Sequence, residues 1–329
     1  MILVTGATGS VGPRVIAALS DAGYQIRTLS LDLPLSGMWP NGVASQLGDV
    51  TNHITVRSAM QGVEAVIHLA ALLHIVNPPP ALREKYERIN VGGTATVVES
   101  AIQAGVKRLV FFSTIAVYGN SCGEVLTEDS APRPDTFYAQ TKLAAERIVL
   151  DAKRRDGQPL GTALRFSAIY GAGIKGNYRG LVQSLARRRF IPVGNGFNRR
   201  TLIYDRDVAR AAVLAVEHPA AAGKIFNVSD GQFHTLNEII AAICEALGRK
   251  PPRLSLPLGP VSLTSRILEV TGRLVGGQSP ITRATIEKYT EDIAVDSTRI
   301  QTELGFKPQF NLATGWQKTI QEMRELGIL

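Results

Sequence analysis

Three groups of residues have the types and spacing to do chemistry. In Tyr138-Ala139-Gln140-Thr141-Lys142 a phenol and an ammonium lie four residues apart, which on a helix puts them on one face. A phenol with a pKa of about 10 is a poor base at neutral pH, but a neighbouring cation stabilises its phenolate and suits it to proton transfer. With 8 Tyr and 10 Lys in 329 residues, chance supplies about 0.24 such spacings, so the pair needs support from its surroundings. Ser113-Thr114 gives that support. It ends the apolar run Phe111-Phe112, 24 residues before Tyr138, and brings hydroxyls that can hydrogen-bond an oxygen exchanging a proton with the tyrosine. The third group is Gly6-Ala7-Thr8-Gly9-Ser10-Val11-Gly12, directly after Ile2–Thr5. Small residues there let the backbone turn sharply and approach a pyrophosphate, which a following helix N-terminus attracts.

Positioning these groups takes alternating strands and helices. Ile2–Thr5, Gln25–Leu31, Ala65–Leu69, Arg108–Ser113 and Gly161–Arg165 read as strands. Val11–Ala22, Thr55–Met60, Glu84–Ala104 and Tyr138–Arg155 read as helices between them. This alternation predicts an α/β fold with a Rossmann-type doubly wound parallel sheet. Such sheets bind ligands beyond the carboxyl ends of their strands, where Gly6–Gly12, Ala70-Ala71 and Ser113-Thr114 all fall. After Arg165 the texture changes. Gly171–Arg179 and Pro192–Arg200 read as loops, Asn237–Leu247 as an amphipathic helix, and Ala294–Val295 as a strand. Residues 1–165 are expected to form the dinucleotide-binding domain, with elements near 201–230 returning to it. Residues 166–329 are expected to form a smaller, mostly C-terminal α/β substrate domain.

Composition narrows the function. Apolar residues make up 45% and charged residues 19%, an ordinary globular balance. The net charge of +8 suits an anionic ligand, but among 26 arginines only Arg187-Arg188-Arg189 clusters. That triplet reads as a solvated helix end, and no nucleic-acid module is visible. Two cysteines and five scattered histidines give neither a disulfide framework nor metal-ligand spacing, so no metal is expected. The apolar stretch Leu254–Val275 is interrupted by Pro257, Pro260, Arg266, Glu269 and Arg273, which excludes a membrane span. No secretory signal opens the chain, and the cytoplasm is the expected location.

Cofactor preference is poorly marked. An acid at the end of the second strand would hold ribose hydroxyls, and an arginine would hold a 2′-phosphate. Those positions are Ser30 and Leu31, which fit neither rule. Asp32 follows and favours NAD weakly, with NADP left open. Gly48-Asp49-Val50 is suited to the adenine edge.

Jointly these segments resemble the extended short-chain dehydrogenase/reductase family, in particular its nucleotide-sugar 4-epimerases and 4-ketoreductases. The resemblance rests on Thr5–Gly12, Gly48-Asp49, His68-Leu69-Ala70-Ala71, Asn90-Val91-Gly92-Gly93-Thr94, Ser113–Gly119 and Tyr138–Lys142. It continues through Leu164-Arg165, Ile169-Tyr170-Gly171, Asp296 and Glu303-Leu304-Gly305-Phe306. It implies Thr114, Tyr138 and Lys142 as the catalytic set, with Tyr138 as general acid/base and Lys142 also holding the nicotinamide ribose. Cofactor contacts are then expected from Gly6, Thr8, Gly9, Ser10, Val11, Gly12, Asp32, Asp49, Val50, Leu69, Ala70, Ala71, Asn90 and Ser113.

For the substrate, Arg200-Thr201-Leu202-Ile203-Tyr204-Asp205-Arg206-Asp207 is similar to the family segment whose arginine grips a nucleotide diphosphate. That makes Arg200 the expected anchor. Ser167 stands where relatives carry an Asn. Asn177, in the loop expected to close over the sugar, and Arg283 complete the expected substrate set. The resemblance implies a homodimer and a UDP-linked hexose epimerised at C4. A one-way ketoreductase would use the same residues. A dehydratase fits less well, because Ile115-Ala116 fill the slot where dehydratases carry an Asp-Glu pair. A hydroxysteroid-type alcohol dehydrogenase and a non-catalytic cofactor sensor are the rival readings.

Overall fold

The computed structural model describes residues 1–73, 75, 79–121, 123–257 and 289–329. A seven-stranded sheet in the order β11-β7-β5-β4-β1-β2-β3 forms its centre, and every neighbouring pair is parallel. The strands are β1 (Ile2–Thr5), β2 (Ile26–Ser30), β3 (Ala44–Leu47), β4 (Ala65–His68), β5 (Arg108–Thr114), β7 (Gly161–Phe166) and β11 (Ile225–Val228). The Rossmann-type expectation is met.

Alternation along each strand feeds two cores. Ile2, Val4, Val110 and Phe112 face one side, where α1 (Gly12–Asp21) packs on α7 (Asp205–Glu217). Leu3, Leu109 and Phe111 face the other, under α2 (His53–Ala59), α4 (Gly93–Ala104) and α5 (Phe137–Asp151). Ile225–Val228 comes back from the later part of the chain to pair with β7. A third core joins Tyr170, Val182, Leu236, Ile240, Trp316 and Met323. It lies among β8 (Ala168–Tyr170), α6 (Asn177–Ala186), β10 (Leu202–Tyr204), α8 (Leu236–Ala246) and α10 (Leu312–Glu325), the last after α9 (Thr298–Leu304).

Three elements differ from the sequence reading. The helix expected over Glu84–Ala104 is α3 (Arg83–Tyr86) and α4 joined by a π-helical turn at Glu87–Gly92. The wider turn carries Asn90 into the protein interior, and Gly93 must be small because a Cβ there would lie 2.8 Å from Val50 Cγ2. The Gly171–Arg179 loop gives way to α6 at Asn177. The Pro192–Arg200 loop ends in β9 (Arg199–Arg200), antiparallel to β12 (His234–Thr235). Short β6 (Val125–Leu126) pairs with β13 (Ala294–Val295), the expected late strand. Arg187–Arg189 are exposed just beyond α6, as a solvated helix end requires. Of the stretch Leu254–Val275, only Leu254–Pro257 fall within the described residues.

Candidate active site

The carboxyl edge of the sheet gathers the chemistry. β1 ends at Thr5 and the chain turns at once, with Gly6 at φ +70°. A Cβ on Gly6 would lie 2.7 Å from the Cα and N of Ala70, and one on Gly12 would overlap the Ala7 carbonyl. The turn is closed by the Gly9 amide on the Gly6 carbonyl (3.0 Å) and the Gly12 amide on the Gly9 carbonyl (3.2 Å). Val11 is the N-cap of α1 and offers no side-chain cap, while Pro13 in the first turn removes no helical hydrogen bond. A cradle without Cβ atoms beside an uncapped helix N-terminus fits a dinucleotide pyrophosphate. Thr8 donates its amide to Ser30 Oγ (3.4 Å), and Asp32 is exposed. Loop 171–176 crosses near this cradle: a Cβ on Gly173 would lie 3.5 Å from the Ser10 carbonyl.

Leu69, Ala70 and Ala71 follow β4 beside the cradle, and Asn90 from the π turn holds Leu72 just beyond them. Its Oδ1 accepts the Leu72 amide (2.7 Å), while Nδ2 donates to the Leu72 carbonyl (3.2 Å) and to Thr141 Oγ1 (3.1 Å). Thr141 in turn donates to the Tyr138 carbonyl (3.0 Å). One buried amide thus links the cofactor groove to the helix carrying Tyr138. Asp49, expected at the adenine edge, lies just after β3. Its carboxylate accepts the Thr51 amide (2.8 Å), as an ordinary turn residue does, while Val50 packs against Gly93.

Thr136 caps α5 by accepting the Ala139 amide, so the helix begins just before Tyr138. Burial pushes the Tyr138 phenol up to about 12, with the Tyr86 phenol adding to the shift. Burial brings Lys142 down to about 7 against the opposing pull of Glu146. The Lys142 ammonium lies 4.0 Å from the centroid of the Phe111 ring, a favourable cation–π position in a dry site. Thr114 accepts the Ala116 amide (3.2 Å), which leaves its hydroxyl hydrogen available for another acceptor.

Ser113, expected at the cofactor, has its hydroxyl engaged within the protein. Its hydroxyl donates to Glu146 Oε2 (2.7 Å). Glu146 also holds Arg165 through Nε (3.0 Å) and Nη2, and both partners are buried at 2% side-chain exposure. Strand alternation explains the partner: Ser113 shares the face of Leu109 and Phe111, which looks onto α5. Arg165 belongs to a segment that carried the family resemblance, but Glu146 was not singled out in the sequence. The repeat of the four-residue spacing from Lys142 to Glu146 is the signal that marks it.

On the substrate side, Ser167 is buried and its hydroxyl makes no hydrogen bond within the protein. Asn177 is exposed in the first turn of α6. Arg200 lies mostly buried on β9, where Nη2 donates to the Tyr289 carbonyl (2.9 Å) and Nη1 faces Glu291 at 3.9 Å. Glu291 is thus an acidic neighbour of the expected phosphate anchor that the sequence reading missed. Arg283 lies outside the described residues. Among the described residues, no group of three or more His, Cys, Asp or Glu could hold a metal. No described helix is long and apolar enough to cross a membrane.

Known proteins share this architecture. The chain is 26% identical to the UDP-glucose 4-epimerase of Vibrio cholerae over 97% of its own length and 94% of the relative's. It is likewise 26% identical to the N-acetyl-alpha-D-glucosaminyl-diphospho-ditrans,octacis-undecaprenol 4-epimerase of Escherichia coli O157:H7, over 97% and 94% of the two chains. Among solved structures, MoeE5 in complex with UDP-glucose and NAD superposes with a TM-score of 0.78 at 27% identity, covering 99% of both chains. The sequence pattern described as the NAD dependent epimerase/dehydratase family matches residues 2–229. With the glycine cradle, the Thr114/Tyr138/Lys142 set and that match together, the chain belongs to the NAD-dependent epimerase/dehydratase family of enzymes.

Proposed function

We propose that this enzyme inverts C4 of a nucleoside-diphosphate hexose, UDP-linked by preference. Tyr138 takes the proton of the 4-hydroxyl and later returns it to the same oxygen. The Lys142 ammonium stabilises the phenolate in the interval. Thr114 donates its free hydroxyl hydrogen to that oxygen, orienting it toward Tyr138. NAD, when bound, supplies the hydride acceptor and donor for C4. Gly6, Gly9 and Gly12 with the start of α1 would hold its pyrophosphate, and Leu69–Ala71 with Asn90 would line its groove. Arg200 binds the diphosphate in competition with Glu291, and the Ser167 hydroxyl gives the substrate a further polar contact.

The reading rests above all on the match to a UDP-glucose 4-epimerase nearly end to end, in a chain that carries Thr114 at the end of β5 and Tyr138 and Lys142 four residues apart on α5. Ile115 and Ala116 support it further, since neither can supply the second acid–base pair of a dehydratase. Denaturing freshly purified protein and identifying the released small molecules tests it, together with incubation with UDP-glucose and no added cofactor. Release of NAD and formation of UDP-galactose are expected. Turnover of an apolar secondary alcohol with exchangeable NAD, uninhibited by UDP, would overturn it in favour of a hydroxysteroid-type dehydrogenase.

A further inference from the structure

His68 ends β4 and is fully buried, with a hydroxyl at each ring nitrogen. Nδ1 lies 2.6 Å from Thr5 Oγ1, and Nε2 lies 3.0 Å from Thr94 Oγ1. The protons on this thread can be assigned without reference to the ring. Thr94 spends its single hydrogen on the Asn90 carbonyl (2.6 Å), so toward His68 it can only accept. Nε2 must therefore carry a hydrogen. In a neutral imidazole Nδ1 is then bare and accepts from Thr5. Thr5 in turn accepts the Ala70 amide (3.4 Å). Donation runs in one sense on each side of the ring: from Ala70 through Thr5 into Nδ1, and from Nε2 through Thr94 to Asn90.

Both ends of this thread are parts of the cofactor groove. Ala70 is the residue against which Gly6 packs without room for a Cβ. Asn90 is the residue whose side chain fixes Leu72 and reaches Thr141, one bond from the Tyr138 carbonyl. A protonated ring would turn Nδ1 into a donor and leave Thr5 facing it with its own hydrogen displaced. Burial and the nearby Lys142 charge act against that form, holding His68 down to about 3. The ring's remaining aromatic neighbour is Phe111, at 5.7 Å between centroids, the same ring that carries the Lys142 ammonium.

We propose that His68 is a positioning residue for the cofactor, a permanently neutral Nε2–H strut that sets the spacing between the glycine cradle and the Asn90 turn. It touches neither substrate nor reacting atoms and acts through Thr5, Thr94 and Asn90. The role holds whichever alcohol the enzyme oxidises, so its test is independent of the nucleotide-sugar reading.

The experiment pairs spectroscopy of the intact enzyme with NAD titration of variants. In protein labelled with ¹⁵N-histidine, one of the five rings is expected to give a protonated Nε2 and an unprotonated Nδ1 that do not move between pH 5 and 9. Those signals should be absent from His68→Phe. NAD titration of that variant, which keeps an aromatic ring but neither nitrogen, is expected to show affinity about tenfold weaker, with kcat at saturating NAD changed less. His68→Asn restores an acceptor on the Thr5 side, and His68→Gln a donor on the Thr94 side; each is expected to recover part of the loss. If the signals lost in His68→Phe titrate within this range, or show the hydrogen on Nδ1, the assignment is overturned. Unchanged NAD affinity in His68→Phe overturns the positioning role. If that variant does not fold, the wild-type spectrum still decides the tautomer, and the Asn and Gln variants still decide the role.

Discussion

Two side chains four residues apart are displaced in opposite directions, Tyr138 up to about 12 and Lys142 from 10.5 down to about 7. The lysine shift makes stability depend on pH. Between about 7 and 10.5 the unfolded chain keeps a proton on Lys142 that the folded protein has released, so stability rises with pH across that window. Below it, both states are charged and the fold bears the whole cost of burying the ammonium. Lys142→Met is therefore expected to raise the unfolding temperature of cofactor-free protein at pH 6, with a gain that fades by pH 10. A gain independent of pH would contradict this. The same variant should lose turnover. Tyr138→Phe should lower kcat by about 10²- to 10⁴-fold, the usual worth of a general acid–base, while still retaining NAD. The pairing of Tyr138 with Lys142 shows in the sequence as a four-residue spacing, while Thr114 was singled out from Ser113 only through the family resemblance. His68, Glu146 and Arg165 support them from separate strands and helices, and only the fold brings those together.

At the scale of elements, the strand–helix alternation was readable because each buried parallel strand is a short apolar run between helical patterns. The π turn at Glu87–Gly92 was not, since its one added residue per turn leaves the 3.6-residue pattern on either side intact. Short β9 was hidden by its Gly- and Asn-rich approach. The glycines of the first turn make a sharp prediction. Gly12→Ala must displace the Ala7 carbonyl, and Gly6→Ala must displace Ala70 at a positive φ. Both should abolish NAD retention. Gly105 also has positive φ, but a Cβ there meets nothing within 4 Å, so Gly105→Ala should cost only about 1 kcal/mol and leave NAD bound. Denaturant unfolding with cofactor analysis separates the three. By the same method Glu146→Leu, which strands buried Arg165, should cost about 3–5 kcal/mol.

Over the whole molecule, the C-terminal part is tied to the cofactor cradle by charge as well as by packing. Arg14 in the first turn of α1 holds Asp205 at the start of α7 (3.1 Å) and reaches Glu322 on α10, which also pairs with Arg206 (2.6 Å). Trp316 on α10 is 1% exposed and stacks on Tyr170 at 4.4 Å. Trp316→Ala should therefore destabilise the protein by about 3–5 kcal/mol, measurable by denaturant unfolding. Little of this linkage was visible in the sequence, because an arginine at 14 and a glutamate at 322 carry no local sign of each other. In the proposed reaction hydride leaves C4 and returns to it within one enzyme-bound cycle. UDP-galactose deuterated at C4, incubated with the enzyme and no added cofactor, tests this directly. UDP-glucose with deuterium still at C4 is expected. Loss of the label from C4, or conversion only when NAD is supplied in stoichiometric amounts, would contradict it.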